Sequence, residues 1–133
     1  MIDIESNVFT VVANALRTEF PGIFVVGEYI ETPARFPCVT ILEADNRVLE
    51  RMRTNNIENA VTSMFEINIY SNKSAGKKTE AKAIAAVADE TMTSIGYTRT
   101  FREQVPNLKD ATIYRIVCRY QAVVDSDLWI YHN

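Results

Sequence analysis

Histidine is almost absent from this sequence: the single one, His132, lies one residue from the C-terminus. A histidine-based triad or zinc site needs further partners, so neither is supported. Adjacent carboxylates such as Asp89 and Glu90 do not compensate, because neighbours on a helix do not face a common point. The sequence therefore predicts no catalytic, cofactor-binding or metal-ligating residue, and it favours a protein that is not an enzyme.

A phosphate-binding loop is also missing. The segment SAGKKT, residues 74–79, has the Gly-Lys-Lys-Thr end of such a loop but lacks the first glycine at the required spacing. We interpret it as a helix N-terminus with solvated lysines, and we expect no small-molecule ligand there.

Cysteines are few. Cys38 and Cys118 each lie in an apolar strand pattern, which predicts two buried thiols that act as small hydrophobic side chains. A disulfide would need both side chains in register, which spacing alone does not decide. Two such cysteines suggest a reducing compartment.

Long apolar runs and excess positive charge are missing as well. No run of eighteen apolar residues is present, which argues against a membrane span, and the acidic N-terminus does not read as a signal peptide. The 14 Lys and Arg against 17 Asp and Glu give a net charge of −3. Nucleic acid favours a clear basic excess, so we expect no sequence-specific nucleic-acid partner and no membrane partner. A length of 133 residues suggests one domain, residues 1–133.

Two segments have the three- and four-residue apolar spacing of amphipathic helices. The first is predicted from about Ile4 to Glu19, where Pro21 and Gly22 end it. The second is predicted from about Lys77 to Ile95, with Gly96 as its left-handed C-cap.

The longest alternating segment runs from Asp110 to Asp125. Its even-numbered residues form an apolar face that we expect under the helices, and its odd-numbered face carries Arg115 and Arg119. A similar strand is predicted from Ala60 to Tyr70. Shorter strands are predicted at Ile23–Ile30, Cys38–Ala44 and Tyr97–Val105.

The order of elements predicts an α+β fold. Consecutive strands joined by turns are mostly antiparallel, and two amphipathic helices on one face of such a sheet make a two-layer domain. We expect a mixed, mostly antiparallel sheet of four to five strands, with two helices packed on one face. The other face is left for a different contact.

A polar segment separates the second and third predicted strands. Its seventeen residues, EADNRVLERMRTNNIEN from Glu43 to Asn59, are long for a hairpin loop. We interpret it as a projecting hairpin arm at about 43–59, or as a loop that orders on contact. Its candidate interface residues are Arg47, Glu50, Arg51 and Arg53, and the alternative is a solvated loop.

Two further surfaces are candidates for protein contacts. Arg115 and Arg119 are about 13 Å apart along a strand, too far to clamp one small anion but suited to two contacts on a protein surface. The alternative is that they lie flat over their own sheet. Trp129 and Tyr131 form an aromatic C-terminal segment that either docks on its own sheet or anchors in a neighbouring subunit.

Four segments carry a resemblance to a known family. They are FPCVTILEADN at residues 36–46, FEINIYSNKSAGKKTEA at 65–81, DETMTSIGYTR at 89–99 and TIYRIVCRYQAVVD at 112–125. Together they resemble the tail terminator, or tail completion, proteins of long-tailed bacteriophages, a group of small head–tail joining proteins. The shared features are patterns of strand, turn and helix without a chemically obligatory residue.

The resemblance implies a mixed sheet packed by two helices and a subunit of a hexameric ring. Such a ring caps the head-proximal end of the tail tube in the virion, stops tube polymerisation and offers a docking surface for the head connector. The implied partners are other copies of the chain, the tail tube protein and a head completion or connector protein. Alternatives are another neck component, such as a head-closure or connector-adaptor protein, or a small nucleic-acid-binding or processing protein.

Overall fold

The computed structural model describes residues 1–49, 59–107 and 110–131. The α+β class and the packing of two helices against one sheet are confirmed. The described residues form six strands rather than four to five, because the C-terminal segment adds a short sixth strand. In chain order the elements are α1 (Glu5–Glu19), β1 (Phe24–Val26), β2 (Cys38–Val48), β3 (Ala60–Ser71), α2 (Lys77–Ser94), β4 (Thr98–Gln104), β5 (Tyr114–Asp125) and β6 (Ile130–Tyr131).

The sheet has the strand order β1-β2-β3-β5-β4, and β6 also pairs with β5. The β1–β2 pair is parallel and the remaining pairs are antiparallel, so the sheet is mixed and mostly antiparallel as predicted. β4 pairs with residues 116–121 of β5 and β6 pairs with residues 123–124. These two short strands therefore follow one another along the same edge of β5.

One face of the sheet, here called the helical face, packs against both helices. As predicted, the even-numbered residues of β5 point to this side, where Ile116 and Tyr120 are buried. The odd-numbered residues of β3 lie on the same side and pack beside them. One of these is Phe65, whose ring contacts Tyr97 edge-to-face with centroids 5.4 Å apart. Fully burying a side chain of this kind contributes about 1.5–3 kcal/mol, so this face supplies most of the stability.

The end of α2 directs the chain into β4. Gly96 has φ +110°, a conformation that glycine adopts without steric cost. The Tyr97 N–H donates to the Met92 carbonyl at 3.0 Å and the Gly96 N–H to the Thr93 carbonyl at 3.1 Å. This pair of bonds is a Schellman motif and confirms the predicted cap.

The predicted first strand, Ile23–Ile30, is shorter than expected and ends at Val26. Parallel neighbours need a long connection, and residues 27–37, here the crossover loop, provide it. The loop crosses the sheet face opposite the helices, here the open face. Its position there is fixed by the Tyr70 hydroxyl, which donates to the Ile30 carbonyl at 2.7 Å.

The second strand is longer than its predicted end at Ala44. Residues 43–48 of the expected arm belong to β2 and pair with residues 61–65 of β3, with an irregularity between Glu43 and Asp45. The predicted end at Ala44 was too early because the following residues are polar. One side of these strands faces solvent and therefore tolerates charged residues. Residues 50–58 lie outside the described residues, so the arm beyond β2 stays a prediction.

Candidate interaction surfaces

The described residues contain no group of three or more His, Cys, Asp or Glu side chains that could hold a metal ion. His132 lies outside them. Among the same residues, no helix is long and apolar enough to cross a membrane. Burial raises the pKa of the Cys38 thiol to about 11, and a protonated thiol is a poor nucleophile.

Arg115 lies on the open face and is held within its own subunit. Its Nε and Nη2 donate to the Asn68 Oδ1 at 3.1 and 2.7 Å. Its guanidinium also lies 5.6 Å from the ring centre of Tyr70 and 6.0 Å from that of Tyr29, which belongs to the crossover loop. Arg115 therefore joins the loop to the sheet.

Arg119 lies two strand positions further along the same face. Its Nε is 3.2 Å from the Glu66 Oε1, and 46% of its side chain is exposed. The guanidinium also lies 5.0 Å from the centre of the Phe101 ring. An exposed ion pair of this kind contributes little free energy, so Arg119 keeps the freedom to meet a partner.

Asn68 and Glu66 connect the two arginines. The Asn68 Nδ2 donates to the Glu66 Oε2 at 3.1 Å, which completes a continuous series from Arg115 through Asn68 and Glu66 to Arg119, here the polar ladder. Asn68 is fully buried although no helix covers it. The arginines thus lie over their own sheet, which was the alternative interpretation of their spacing.

The far end of the open face is less covered. Arg47 pairs with Thr62, Thr62 with Val123, and Val123 with Tyr131, so these four residues form one row across β2, β3, β5 and β6. Arg47 and Tyr131 are exposed, whereas Thr62 and Val123 are half-buried. The row spans about 14 Å at the usual strand spacing and combines charged, polar and apolar side chains.

The C-terminal aromatic residues are carried by a tight turn from β5 into β6, here the tip hairpin (residues 125–131). Leu128 donates its N–H to the Asp125 carbonyl at 3.0 Å and has φ +63°. A three-residue loop with a left-handed last residue is a common hairpin connection. Leu128 packs against the core while 69% of Trp129 is exposed.

Asp125 organises this hairpin. Its Oδ1 accepts from the Trp129 N–H at 3.0 Å and the Asp127 N–H at 2.9 Å, and its Oδ2 accepts from the Tyr131 hydroxyl at 2.7 Å. These bonds, led by that from Tyr131, lower the pKa of the Asp125 carboxyl. Trp129 is therefore displayed on a rigid support rather than on a free tail.

A groove lies at the opposite edge of the sheet, between α1 and the end of β1. It has a volume of about 220 Å³, and we call it the edge groove. Phe9, which is half-buried, gives it an apolar wall, whereas the lining residue Ile41 is fully buried. A Cβ at Gly27 would lie 3.6 Å from the Phe9 ring, an ordinary van der Waals distance. Its remaining lining residues are Glu5, Ser6 and Thr10.

The structure brings together some of the predicted interface residues. Arg47, Arg115, Arg119 and Tyr131 share the open face through their strand positions. Trp129 lies in the turn beside Tyr131, whereas Glu50, Arg51 and Arg53 lie outside the described residues.

The edge groove and the role of Asp125 escaped the sequence reasoning. An aspartate that opens a short turn before an aromatic segment was a usable signal for Asp125. No sequence signal indicated the edge groove, because it forms between residues that are far apart in the chain.

No family model and no curated protein matches this sequence. The fold, however, has a counterpart in a virion. A chain in a solved structure described as the virion of a native gene transfer agent (GTA) particle is similar with a TM-score of 0.62 and 14% sequence identity. The match covers 88% of this chain and 93% of that chain. At this identity the likeness establishes the fold and leaves the function to be argued.

Proposed function

We propose that this protein is a structural component of a phage-like virion, without enzymatic activity. The observation that supports this most is the similarity of fold to a chain of the gene transfer agent virion, over nearly the whole of both chains. A match of that extent concerns the complete arrangement of sheet and helices rather than a shared motif. The exposed surfaces described above suit contacts with other proteins.

Within the virion, the proposed role is that of a tail terminator. Six copies form a ring that caps the head-proximal end of the tail tube, stops its polymerisation and receives the head connector. This finer proposal rests on the resemblance of the four sequence segments to tail terminator proteins. The chain is assembled in the host cytoplasm, and its partners are other copies of itself, the tail tube protein and a head completion or connector protein.

The contact surfaces proposed for this role are the row from Arg47 to Tyr131, the neighbouring Arg119, and the arm with Glu50, Arg51 and Arg53. The row is amphipathic, which suits the rim of a protein interface. The arm lies between β2 and β3 in the sequence and carries mixed charges that suit a polar partner.

Electron microscopy of the purified protein, alone and mixed with tail tubes, tests the role. We expect six-fold rings, bound at one end of each tube, and tube ends that no longer elongate when tail tube protein is added. Rings or monomers that do not bind the ends of tail tubes would contradict the tail terminator role. Binding to isolated head connectors without tube binding would identify another neck component instead.

The arm has its own test. Arg51→Glu combined with Arg53→Glu should weaken binding to tail tubes and leave the thermal unfolding temperature unchanged. The matched control is Lys78→Glu combined with Lys82→Glu, the same charge reversal at exposed positions of α2. Equal tube binding by both double variants removes the arm from the interface.

A further inference from the structure

β4 has a strand partner on one side only. Among the described residues that partner is β5, and we call the outer side of β4 the free edge. The Val105 N–H donates to the Arg115 carbonyl at 3.0 Å, so the backbone of Val105 points toward β5. Because backbone groups alternate in direction along a strand, those of Arg102 and Gln104 point outward. Such a row of outward N–H and C=O groups is a template for a further strand.

A groove of about 560 Å³ lies beside the free edge, between α2 and β4, and we call it the α2–β4 groove. Its exposed lining residues include Ala86, Ser94 and Arg102. Arg99 also lines it but is held by Asp89 at 3.0 Å. Arg102 makes no ion pair with any residue that the structure describes. A side chain of an added strand would therefore find space and an uncompensated positive charge in this groove.

The side chains of β4 define which strand fits. Arg102 points to the helical face, whereas its neighbours Phe101 and Glu103 point to the open face. Glu103, like Arg102, has no ion pair within the described part of the chain. A parallel partner strand should therefore carry an apolar, an acidic and a basic residue in this order. A second β4 does not fit, because an antiparallel register centred on Arg102 would place two arginines opposite each other.

This order of side chains occurs once in the sequence, at Leu49, Glu50 and Arg51. Leu49 closes the β2–β3 ladder, because its N–H donates to the Ala60 carbonyl at 2.9 Å. Glu50 and Arg51 follow it in the arm, outside the described residues. The arm thus carries the charges that complement the free edge.

An antiparallel strand would need the reverse order, which also occurs once, at residues 109–111. There the Asp110 carboxylate is already engaged in its own turn. Its Oδ1 accepts from the Thr112 N–H at 2.9 Å and from the Thr112 hydroxyl at 2.6 Å. The parallel candidate in the arm is therefore favoured.

The arm begins far from the free edge of its own subunit. Ala60, where β3 resumes, pairs with Asp125, whereas β4 pairs with residues 116–121 of β5. The tip hairpin lies along the same edge of β5, between these two places. A second copy is therefore the direct partner. A contact between two different surfaces of one chain is heterologous, the kind that closes into a ring.

We infer that residues 49–51 of one copy add to the free edge of a second copy of this chain as a parallel strand. Glu50 then enters the α2–β4 groove and pairs with Arg102, while Arg51 pairs with Glu103. The contact repeats head to tail. The inference rests on the ring of the proposed function and deepens it, since it names the residues that join neighbouring subunits.

Charge reversal gives the first test, by sedimentation velocity at about 1–100 μM, a range of affinities expected for such interfaces. The wild-type protein should assemble. Glu50→Arg and Arg102→Glu should each weaken assembly more than about tenfold, because each places like charges opposite one another in every contact. Arg17→Glu, the same reversal at an exposed position of α1, is the matched control and should assemble normally.

A mixture of the two variants gives the decisive test. Glu50→Arg has a positive residue at both contact positions and Arg102→Glu has a negative residue at both. An equimolar mixture should therefore recover assembly, with the two variants alternating around the ring. Recovery also shows that both variants are folded. An arm bound to its own subunit would not be rescued by mixing.

A backbone variant tests the strand pairing itself. Gln104→Pro removes an outward N–H that β5 does not use, and proline is tolerated at such positions of edge strands. It should weaken assembly and keep a thermal unfolding temperature close to that of the wild type. Gln104→Ala retains the N–H and is the matched control.

Four results would overturn the inference. They are wild-type protein that stays monomeric over the whole range, unimpaired assembly of Arg102→Glu, a mixture that stays monomeric, and unimpaired assembly of Gln104→Pro. Tube binding separates the inference from the proposed function. Assembly that depends on Arg102 but never caps tail tubes contradicts the function and leaves the contact in place. Normal tube capping by Arg102→Glu contradicts the contact and leaves the function in place.

Discussion

The two faces of the sheet are built from the same strands but stabilised in different ways. On the helical face, β3 and β5 contribute apolar side chains that the helices cover completely, including Phe65 and Tyr120. On the open face the same strands contribute the polar ladder, in which Asn68 is as deeply buried as the apolar core. The helical face is stabilised by the burial of apolar surface area. The covered part of the open face is stabilised by directed hydrogen bonds.

This difference shows that a sheet face without helices is not automatically a free binding surface. The crossover loop and the arginines close one end of the open face, where Tyr70 and Asn68 are fully buried. The other end, with Arg47 and Tyr131, stays exposed. The interface candidates are therefore separated by position along the strands rather than by face alone.

The largest expected effect is on the helical face. Phe65→Ala should lower the free energy of unfolding by about 3–5 kcal/mol, because it leaves a cavity in a fully buried core. Met64→Ala, one position away on the half-buried open side, is the matched control and should cost clearly less. Urea denaturation followed by circular dichroism measures both, and equal losses would contradict the comparison of the two faces.

The next effect tests the polar ladder. Asn68→Ala leaves the Arg115 guanidinium without its acceptor at a partly buried position, and we expect a loss of about 2 kcal/mol. Removing Arg115 as well should restore part of this loss, because no unpaired charge remains. A double variant that is the simple sum of the two single variants would show that the pair is not coupled.

The exposed end of the same ladder should respond more weakly. A double-mutant cycle of Glu66→Ala and Arg119→Ala should give a coupling of about 0.2–1 kcal/mol, because the Arg119 side chain is 46% exposed. This coupling should shrink further in high salt, since exposed charges are screened. A coupling free energy as large as that between Asn68 and Arg115 would contradict the idea that side-chain exposure weakens the pairs on the open face.

The smallest effect concerns acid and the tip hairpin. The carboxyl pKa of Asp125 lies below its ordinary value of 3.8 in the folded protein, so its hydrogen bonds stabilise the hairpin fully above that value. This stabilisation is lost as the pH falls from 3.8 through the lowered value, because the proton then occupies the acceptor oxygen. Fluorescence anisotropy of Trp129, the single tryptophan, should fall in this range.

Asp125→Ala should show the lower anisotropy already at neutral pH, with no further step in acid. Asp127→Ala is the matched control, because its side chain makes none of these contacts, and it should behave like the wild type. An acid step that persists in Asp125→Ala would assign the transition to another group.

Much of the fold was predictable because it depends on local patterns. The alternation of β5, the spacing of both helices and Gly96 as a cap each follow from the backbone geometry of nearby residues. The early end of β1 was not predictable, because Ile30 leaves the strand to meet Tyr70, forty positions along the chain. Sequence periodicity carries no information about such a partner.

The candidate surfaces were predictable only as residue types. In the sequence, Arg115 cannot be distinguished from an arginine that contacts a partner protein. In the structure, Asn68 on the neighbouring strand accepts its hydrogen bond. The sequence left open whether Trp129 docks on its own sheet or anchors in a neighbouring subunit. In the structure Trp129 is 69% exposed on a hydrogen-bonded turn, which no pattern in the sequence specifies. The position of Arg47 in one row with Tyr131 depends on strand register, which the irregularity near Glu43 shifts.

The two cysteines lie on opposite sides of one backbone layer. Cys38 packs beneath the crossover loop with Tyr70 and Phe36, and Cys118 packs in the helical core. Both thiols are free and buried. The rates of thiol labelling in the native state should therefore measure two separate opening events in the unmodified chain. The labelling rate of Cys38 reports how often the crossover loop lifts, and the labelling rate of Cys118 reports how often the helices separate from the sheet.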